Sequence, residues 1–372
     1  MPKTINYKRG KNMNYEEFKQ DFIDEVTERI HEQDPDMRVS ENTVHKLNES
    51  YDAVTITPDG ANVGVNLSIN KFFDSYEEGK SFDELVDRAV ETANRALLDR
   101  PDFDVDSFRD YEQMKDKLVM EVVSTQANED LLKTIPHKDI EDMSVVYRFV
   151  LNSDENGRAS ILVTNNLLDS MGITPDQLHE DALINAPQLK PAEIKGMTEV
   201  LAEMMGREQA EMMGFLPNEN EKEQLYVATV PDKIHGAGVL AYQGFMDQAA
   251  ERAGGDFYIL PSSIHEVLIV PDTGNISIKE LEDMVKNVND TQVSPEDKLT
   301  DSVYHYDSKE KIFELAEKFQ ERMEDRDERS AAAKEDKGSV LADLHTKKDE
   351  VASTPKKDLP GKAARGKGEE SL

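Results

Sequence analysis

The sequence predicts an α+β fold: helices packed on mostly antiparallel sheets, in two domains, followed by a disordered charged tail. Three observations carry this. Short alternating or β-branched apolar runs recur in pairs around tight polar turns, which is the pattern of hairpins. Amphipathic stretches with cap signals lie between those runs. Apolar periodicity then stops near residue 327, where Lys, Glu, Pro and Gly take over and too little apolar surface is left to offset chain entropy.

Residues 1–12 read as a flexible basic extension, with no apolar segment behind them of the kind a secretory signal needs. The first domain spans 13–106. Phe18, Phe22, Val26 and Ile30 recur every fourth position, so 14–32 is an amphipathic helix. Strand-like runs follow at 37–46, 51–56 and 62–69, with Asp59-Gly60 turning between the last two. Ser81 and Glu84 form a capping box that opens a helix to about Leu98. The layout is α-β-β-β-α, broken by Pro101 and the acidic "PDFDVDSF".

The second domain spans 107–326. Strands are expected at 117–124, 143–151 and 158–164, the last two joined by "NSDENG". Thr174 caps a helix with Pro175 in its first turn. A Met-rich helix over 191–213 puts Met197, Val200, Leu201, Met204 and Met205 at helical spacing. That is core packing, with a Met-lined binding groove as the alternative. Strand 224–230 leads to a helix with Val239, Tyr242, Phe245, Met246 and Ala249 on one side, ended by Gly254-Gly255. The strands "FYIL" and "VLIV" form a hairpin, Ser277 caps the next helix, and "SVYHY" is a strand. This β-α-β-β-α-β order implies helices on a mostly antiparallel sheet. A helix over 308–326 ends the domain, and 327–372 is the tail, with "GSVLADLHTKK" as one apolar island.

Composition excludes several chemistries. There is no cysteine, hence no disulfide, thiolate nucleophile or Cys-ligated metal, which fits a reducing cytoplasm. No apolar run reaches the ~18 residues of a membrane span. The net charge is −33, from 77 acidic and 44 basic side chains; residues 328–372, with 10 basic and 9 acidic, leave −34 on the rest. Such a body repels nucleic acid and anionic membrane, so the expected partner is another protein.

Four motifs invite chemistry. Gly79-Lys80-Ser81 resembles the end of a phosphate loop, but Asp74 stands where its first glycine belongs. Gly236, Gly238 and Ala241 match G-x-G-x-x-A between strand and helix, yet Pro231 to His235 intervene and a hairpin follows. "NSDENG" and "DFDVDS" have Val163 and Gln113 where a calcium loop needs glutamate. Last, Ser263, His265 and Glu266 sit between two apolar strands. In extended chain the Ser263 and His265 α-carbons lie roughly 6.5 Å apart on one face, with Glu266 on the other. Pro261 to Ile264 is thus read as a tight hairpin turn before a catalytic centre. Asn165-Asn166, at a strand end, is a second polar candidate beside helix entry. No cofactor and no metal is expected.

The blocks "FYILPSSIHEVLIVPD", "ILVTNNLLDSMGITPDQLHEDALINAPQL", "LYVATV" and "NLSINKFFDSYEEGKSFDEL" resemble domain-of-unknown-function family 5688 over roughly residues 14–307. The resemblance implies a bacterial protein often carried near integrative and conjugative elements, and transfers no catalytic residue. The tail is similar to tails on other cargo proteins of such elements. The functional expectation is a cytoplasmic, non-enzymatic macromolecule-binding or accessory protein, including a DNA mimic. The alternatives are a hydrolase-type enzyme near His265, Glu266 and Asn165-Asn166, or a small-ligand sensor using Gly236–Ala241.

Overall fold

The computed structural model describes residues 13–61, 64–98, 108–154, 157–214 and 222–329. Those up to Ala316 form one unit and those from Glu317 a second. The predicted extension, acidic linker and most of the tail, including its apolar island, lie outside the described residues.

The first layer holds α1 (Tyr15–Gln33), β1 (Arg38–Lys46), β2 (Glu49–Thr57), β3 (Val65–Ser68), α2 (Ile69–Glu77) and α3 (Phe82–Leu98). The three strands form an antiparallel sheet in the order β1-β2-β3. The predicted stripe of α1 is its buried face: Phe18, Phe22, Val26 and Ile30 pack with Val54, Ile56, Leu85 and Ala89 in a core of their own. Asn14 and Glu17 close a capping box on α1, and Ser81 Oγ accepts from the Glu84 amide on α3. Helix α2 was not expected. Ser68 caps it, and Phe72 and Phe73 pack on α1.

Next come α4 (Tyr111–Met114), β4 (Leu118–Ser124), α5 (Glu129–Leu132), β5 (His137–Ile140), β6 (Met143–Asp154) and β7 (Gly157–Leu162). Strand β6 pairs antiparallel with β4, β5 and β7. Helices α6 (Asn165–Met171) and α7 (Pro175–Leu189) follow, and the Gln177 amide donates to Thr174 Oγ1 at the predicted cap.

The remaining elements are β8 (Glu193–Gly196), α8 (Met197–Met205), α9 (Arg207–Met213), β9 (Tyr226–Thr229), a 3-10 helix Gly236–Ala241, α10 (Phe245–Ala253), β10 (Phe257–Leu260), β11 (Val267–Pro271), α11 (Ile278–Thr291), β12 (Tyr304–Asp307) and β13 (Ile312–Leu315). Six strands run β13-β12-β10-β11-β9-β8, each pair antiparallel. The β-α-β-β-α-β order of the sequence is β9-α10-β10-β11-α11-β12. A large core joins this sheet to β4, β6 and α7.

Three expectations are corrected. The helix over 191–213 is strand β8 followed by two short helices split at Gly206, whose φ of 85° suits glycine. Helix α8 buries no residue, so its methionines are not core. The helix before Gly254 is two pieces, a 3-10 turn and α10. The helix expected from Ser308 is strand β13 up to Leu315 and helical only over 316–329. Among the described residues no helix is long and apolar enough to cross a membrane.

Candidate functional site

Ser263 and His265 lie in a six-residue connection between β10 and β11, not in a tight turn. The connection is zipped to residues 297–299: the Ile264 amide donates to Asp297 O at 2.8 Å, the Leu299 amide donates to Ser262 O at 3.1 Å, and Ser263 bridges Lys298. Its other side meets the end of β9, where Thr229 Oγ1 donates to His265 O at 2.7 Å, and the 3-10 helix, where the Ala237 amide donates to Ile264 O at 3.1 Å.

These bonds fix the state of His265. The His235 amide donates to His265 Nδ1 at 3.2 Å, so Nδ1 carries a lone pair. The proton therefore sits on Nε2, which donates to Asp297 Oδ1 at 3.0 Å. Ser294 Oγ donates to the other oxygen of Asp297 at 2.7 Å. Burial pushes the Asp297 carboxyl up, but the Ser294 hydroxyl and the His265 imidazole outweigh it and hold it below the usual carboxylate range. Ser263 Oγ accepts from the His265 amide at 3.0 Å, a local serine turn and not a nucleophile–base pair. Neither nitrogen of His265 can take a substrate proton without giving up one of its bonds. Glu266, the last residue of the connection, is exposed.

A second imidazole stands beside the first, with the His235 and His265 ring centres 5.6 Å apart. His235 has φ of 54°, as does Lys233, a conformation that non-glycine residues seldom adopt. His235 Nδ1 lies 3.9 Å from Glu121 Oε2. Glu121, on β4, is 1% exposed, and both its oxygens accept from Arg148 Nε of β6 at 3.1 Å. Arg148, Glu121, His235, His265, Asp297 and Ser294 thus form a polar row across the junction of two sheets. The tip of the β1–β2 hairpin reaches the same place. Asn48 Nδ2 donates to Glu296 O at 3.0 Å and Lys298 O at 2.8 Å, and Asn48 and Asn128 exchange two bonds of 2.7 Å.

The other candidates lie elsewhere. Asn165 and Asn166 are exposed first residues of α6, behind the cap Thr164. Asn165 bonds to Thr134 O and Lys133 O, not to the row around His265. The glycines of Gly236–Ala241 serve close packing: a Cβ on Gly236 would sit 2.3 Å from His265 O, and one on Gly238 would sit 2.4 Å from Met120 O. An open cleft lined by His31, Arg38, Thr57 and Ala61 belongs to the first layer. Among the described residues no three His, Asp or Glu side chains converge as a metal site. Both calcium-loop stretches fall wholly or partly outside the described residues.

Sequence reasoning missed His235, Asp297, Glu121 and Arg148. Glu121 and Arg148 each had a signal, as the lone charge inside the apolar runs "LVMEVV" and "VVYRFV".

Neither the curated proteins nor the solved structures gave a match to this chain. Residues 15–308 match a family described as a family of unknown function, and the chain belongs to that family, DUF5688.

Proposed function

We propose that this protein acts in the cytoplasm by binding a basic partner protein against its acidic body, as an accessory factor and not as a catalyst. The observation that carries the reading is the outer face of α1 and α3. The two helices lie side by side, Phe18 against Phe82 near one end and Gln33 bonded to Asn94 near the other. Asp24, Glu28 and Glu32 form an exposed stripe on α1, and Asp83, Asp87 and Glu91 on α3. Arg29 bridges to Asp83 and Asp87, and Arg95 to Glu91, so the α1 stripe keeps the more open charge. An accessory role on a bacterial mobile element, as the family resemblance implies, belongs to this proposal.

The narrower version, mimicry of duplex DNA, is favoured less by the charge density. Carboxylates on every fourth helical residue are about 6 Å apart. A duplex carries one charge per roughly 1.7 Å of axis. The acidic excess is also spread along the chain: residues 13–98 hold 20 acidic and 8 basic side chains, and residues 108–316 hold 39 and 18.

The test is affinity capture with the tagged full chain at low and high salt, alongside a variant carrying Asp24→Lys, Glu28→Lys and Glu32→Lys. A partner held by this face is released by salt and absent from the variant. An identical captured set on both proteins removes this face from the reading.

A further inference from the structure

Helices α8 and α9 carry apolar surface that the fold leaves outside. Met204 is 76% exposed, Met212 88% and Met213 57%. Met197, Val200, Leu201 and Met205 are only partly buried, and among the described side chains of the two helices Ala210 alone is fully so. A helix that packs wholly on its own protein buries a stripe at three- and four-residue spacing. Here Met197, Leu201, Met204 and Met205 have that spacing without the burial.

Charge selects what covers this face. Glu199, Glu203, Glu208 and Glu211 are interleaved with the methionines, against Arg207 alone between Met197 and Met213. Glu199 lies 3.8 Å from Arg252, and Glu203 bonds to Lys195, while Glu208 and Glu211 are exposed. The open charge of Glu208 and Glu211 opposes a second copy of the same face, because like charges would meet across it. It opposes anionic lipid for the same reason. It suits a segment with apolar residues on one side and Lys or Arg around them. Methionine is unbranched and polarizable, so a Met-lined surface adapts to such a helix without a fixed jigsaw fit.

We infer that α8 and α9 form the docking surface for a basic amphipathic helix of a partner protein. This rests on the reading that the protein works by binding a basic partner, and it places that contact on a face separate from the α1 stripe.

The test uses a fluorescent synthetic peptide of Leu and Lys, roughly five helical turns long, with the Leu residues at three- and four-residue spacing. A second peptide has Glu in place of each Lys. Binding is read by fluorescence anisotropy on the full chain, on Met204→Gln with Met212→Gln, and on Glu208→Lys with Glu211→Lys. All four positions are exposed, so the variants keep the fold, and circular dichroism checks this. The Leu/Lys peptide is expected to bind the unaltered protein and to lose at least tenfold in affinity on each double variant. The Leu/Glu peptide is expected not to bind. Equal affinity of the Leu/Lys peptide for all three proteins moves the contact elsewhere on the acidic body; it overturns the inference and leaves the broader reading standing. Equal binding of both peptides overturns the charge selection. No binding of the Leu/Lys peptide overturns the inference, and the salt-dependent capture on the α1 stripe then decides the broader reading separately. Self-association in sedimentation that the methionine variant abolishes would make a second copy the occupant, which also overturns the inference.

Discussion

Gly236 and Gly238 separate two accounts of the "GAGVLA" stretch, a phosphate-binding loop or a tightly packed strut. In the structure a Cβ on Gly238 would lie 2.4 Å from Met120 O, 0.6 Å inside the 3.0 Å limit that real Cβ atoms respect. The obstacle is backbone, and β4 around it is buried over six of its seven residues, so it has little room to move. Gly236 is tighter, with Thr229 Oγ1 at 2.1 Å and His265 O at 2.3 Å. Neither glycine has a positive φ, so the cost of alanine is overpacking alone. Overpacking a well-filled site costs about 1–3 kcal/mol, and a clash with central-strand backbone belongs at the top of that range. In a unit of this size about 3 kcal/mol lowers Tm by roughly 6 °C. Thermal melts followed by circular dichroism, with and without millimolar nucleotide, test this on Gly238→Ala and Gly236→Ala. Both variants should melt well below the parent, and nucleotide should raise Tm in none of the three. A parent melt raised by nucleotide, with Gly238→Ala as stable as the parent but unresponsive, would refute the packing account. Saturation at 100-fold over Kd adds about 2.7 kcal/mol, well within reach of the assay.

Three further outcomes follow from the same geometry. Asn48→Ala removes three side-chain hydrogen bonds and puts alanine at φ of 60°; at about 1 kcal/mol each for the bonds and about 1 for the backbone, urea unfolding should show a loss of about 3–4 kcal/mol. Asn48→Gly should recover about 1 kcal/mol of that, and equal losses would show that the left-handed backbone carries no strain. Asp142 accepts from Thr300, Ser302 and the buried Tyr304 hydroxyl; Asp142→Ala should cost about 3 kcal/mol and Asp142→Asn less, and a neutral alanine variant would mean water replaces the carboxylate. Stability should fall at both ends of the pH scale. Asp52, chiefly through Lys19, and Asp272, chiefly through His305, are held below 3.8, so their contribution is present above that value and is lost as pH drops through their lowered values. Burial raises Tyr258 to about 12, so its contribution is full below 10.0 and lost as pH climbs toward 12. That loss is at most about 2–3 kcal/mol. A flat unfolding free energy across the alkaline range would remove that term.

The parts of the fold that were legible repeat a period for long enough to be read. Helix α1 shows four apolar residues at one spacing over more than three turns, and α7 and α11 announce themselves by caps. Strand β8 is four residues between Pro191 and a methionine run, too short to show alternation against the helical period around it. Strand β13 failed for a related reason: Ile312, Leu315, Ala316 and Phe319 have helical spacing, but pairing with β12 holds the first two extended. Tertiary pairing overrode local pattern in both. In the site, Ser263 and His265 were legible because they interrupt two apolar strands. Their partners at 121, 148, 235 and 297 come from four other segments, and no short-range spacing links them.

The row around His265 is better understood as a joint than as a reaction centre. The 294–299 segment receives Asn48 from the first layer, Ser262 and Ile264 from the hairpin connection, and the His265 imidazole on Asp297. The connection in turn holds β9 through Thr229 and the 3-10 turn through Ala237. The His265 and Asp297 side chains are 35% and 37% exposed, so leaving them unpaired costs less than it would in the core, but pairing them still demands one relative placement of the segments. A catalytic imidazole must instead keep one nitrogen able to exchange a proton with substrate. His265→Gln distinguishes the roles. As a joint residue, His265 leaves Asp297 and the His235 amide short of partners when replaced, so the Gln variant should melt lower and bind basic partners as before. As a base, it would leave stability unchanged and abolish an activity. Because β11 and β9 lead from this joint to β8, beside which α8 lies, a loosened joint that also weakened the Leu/Lys peptide would link the two regions energetically, and an unchanged affinity would show them to be independent.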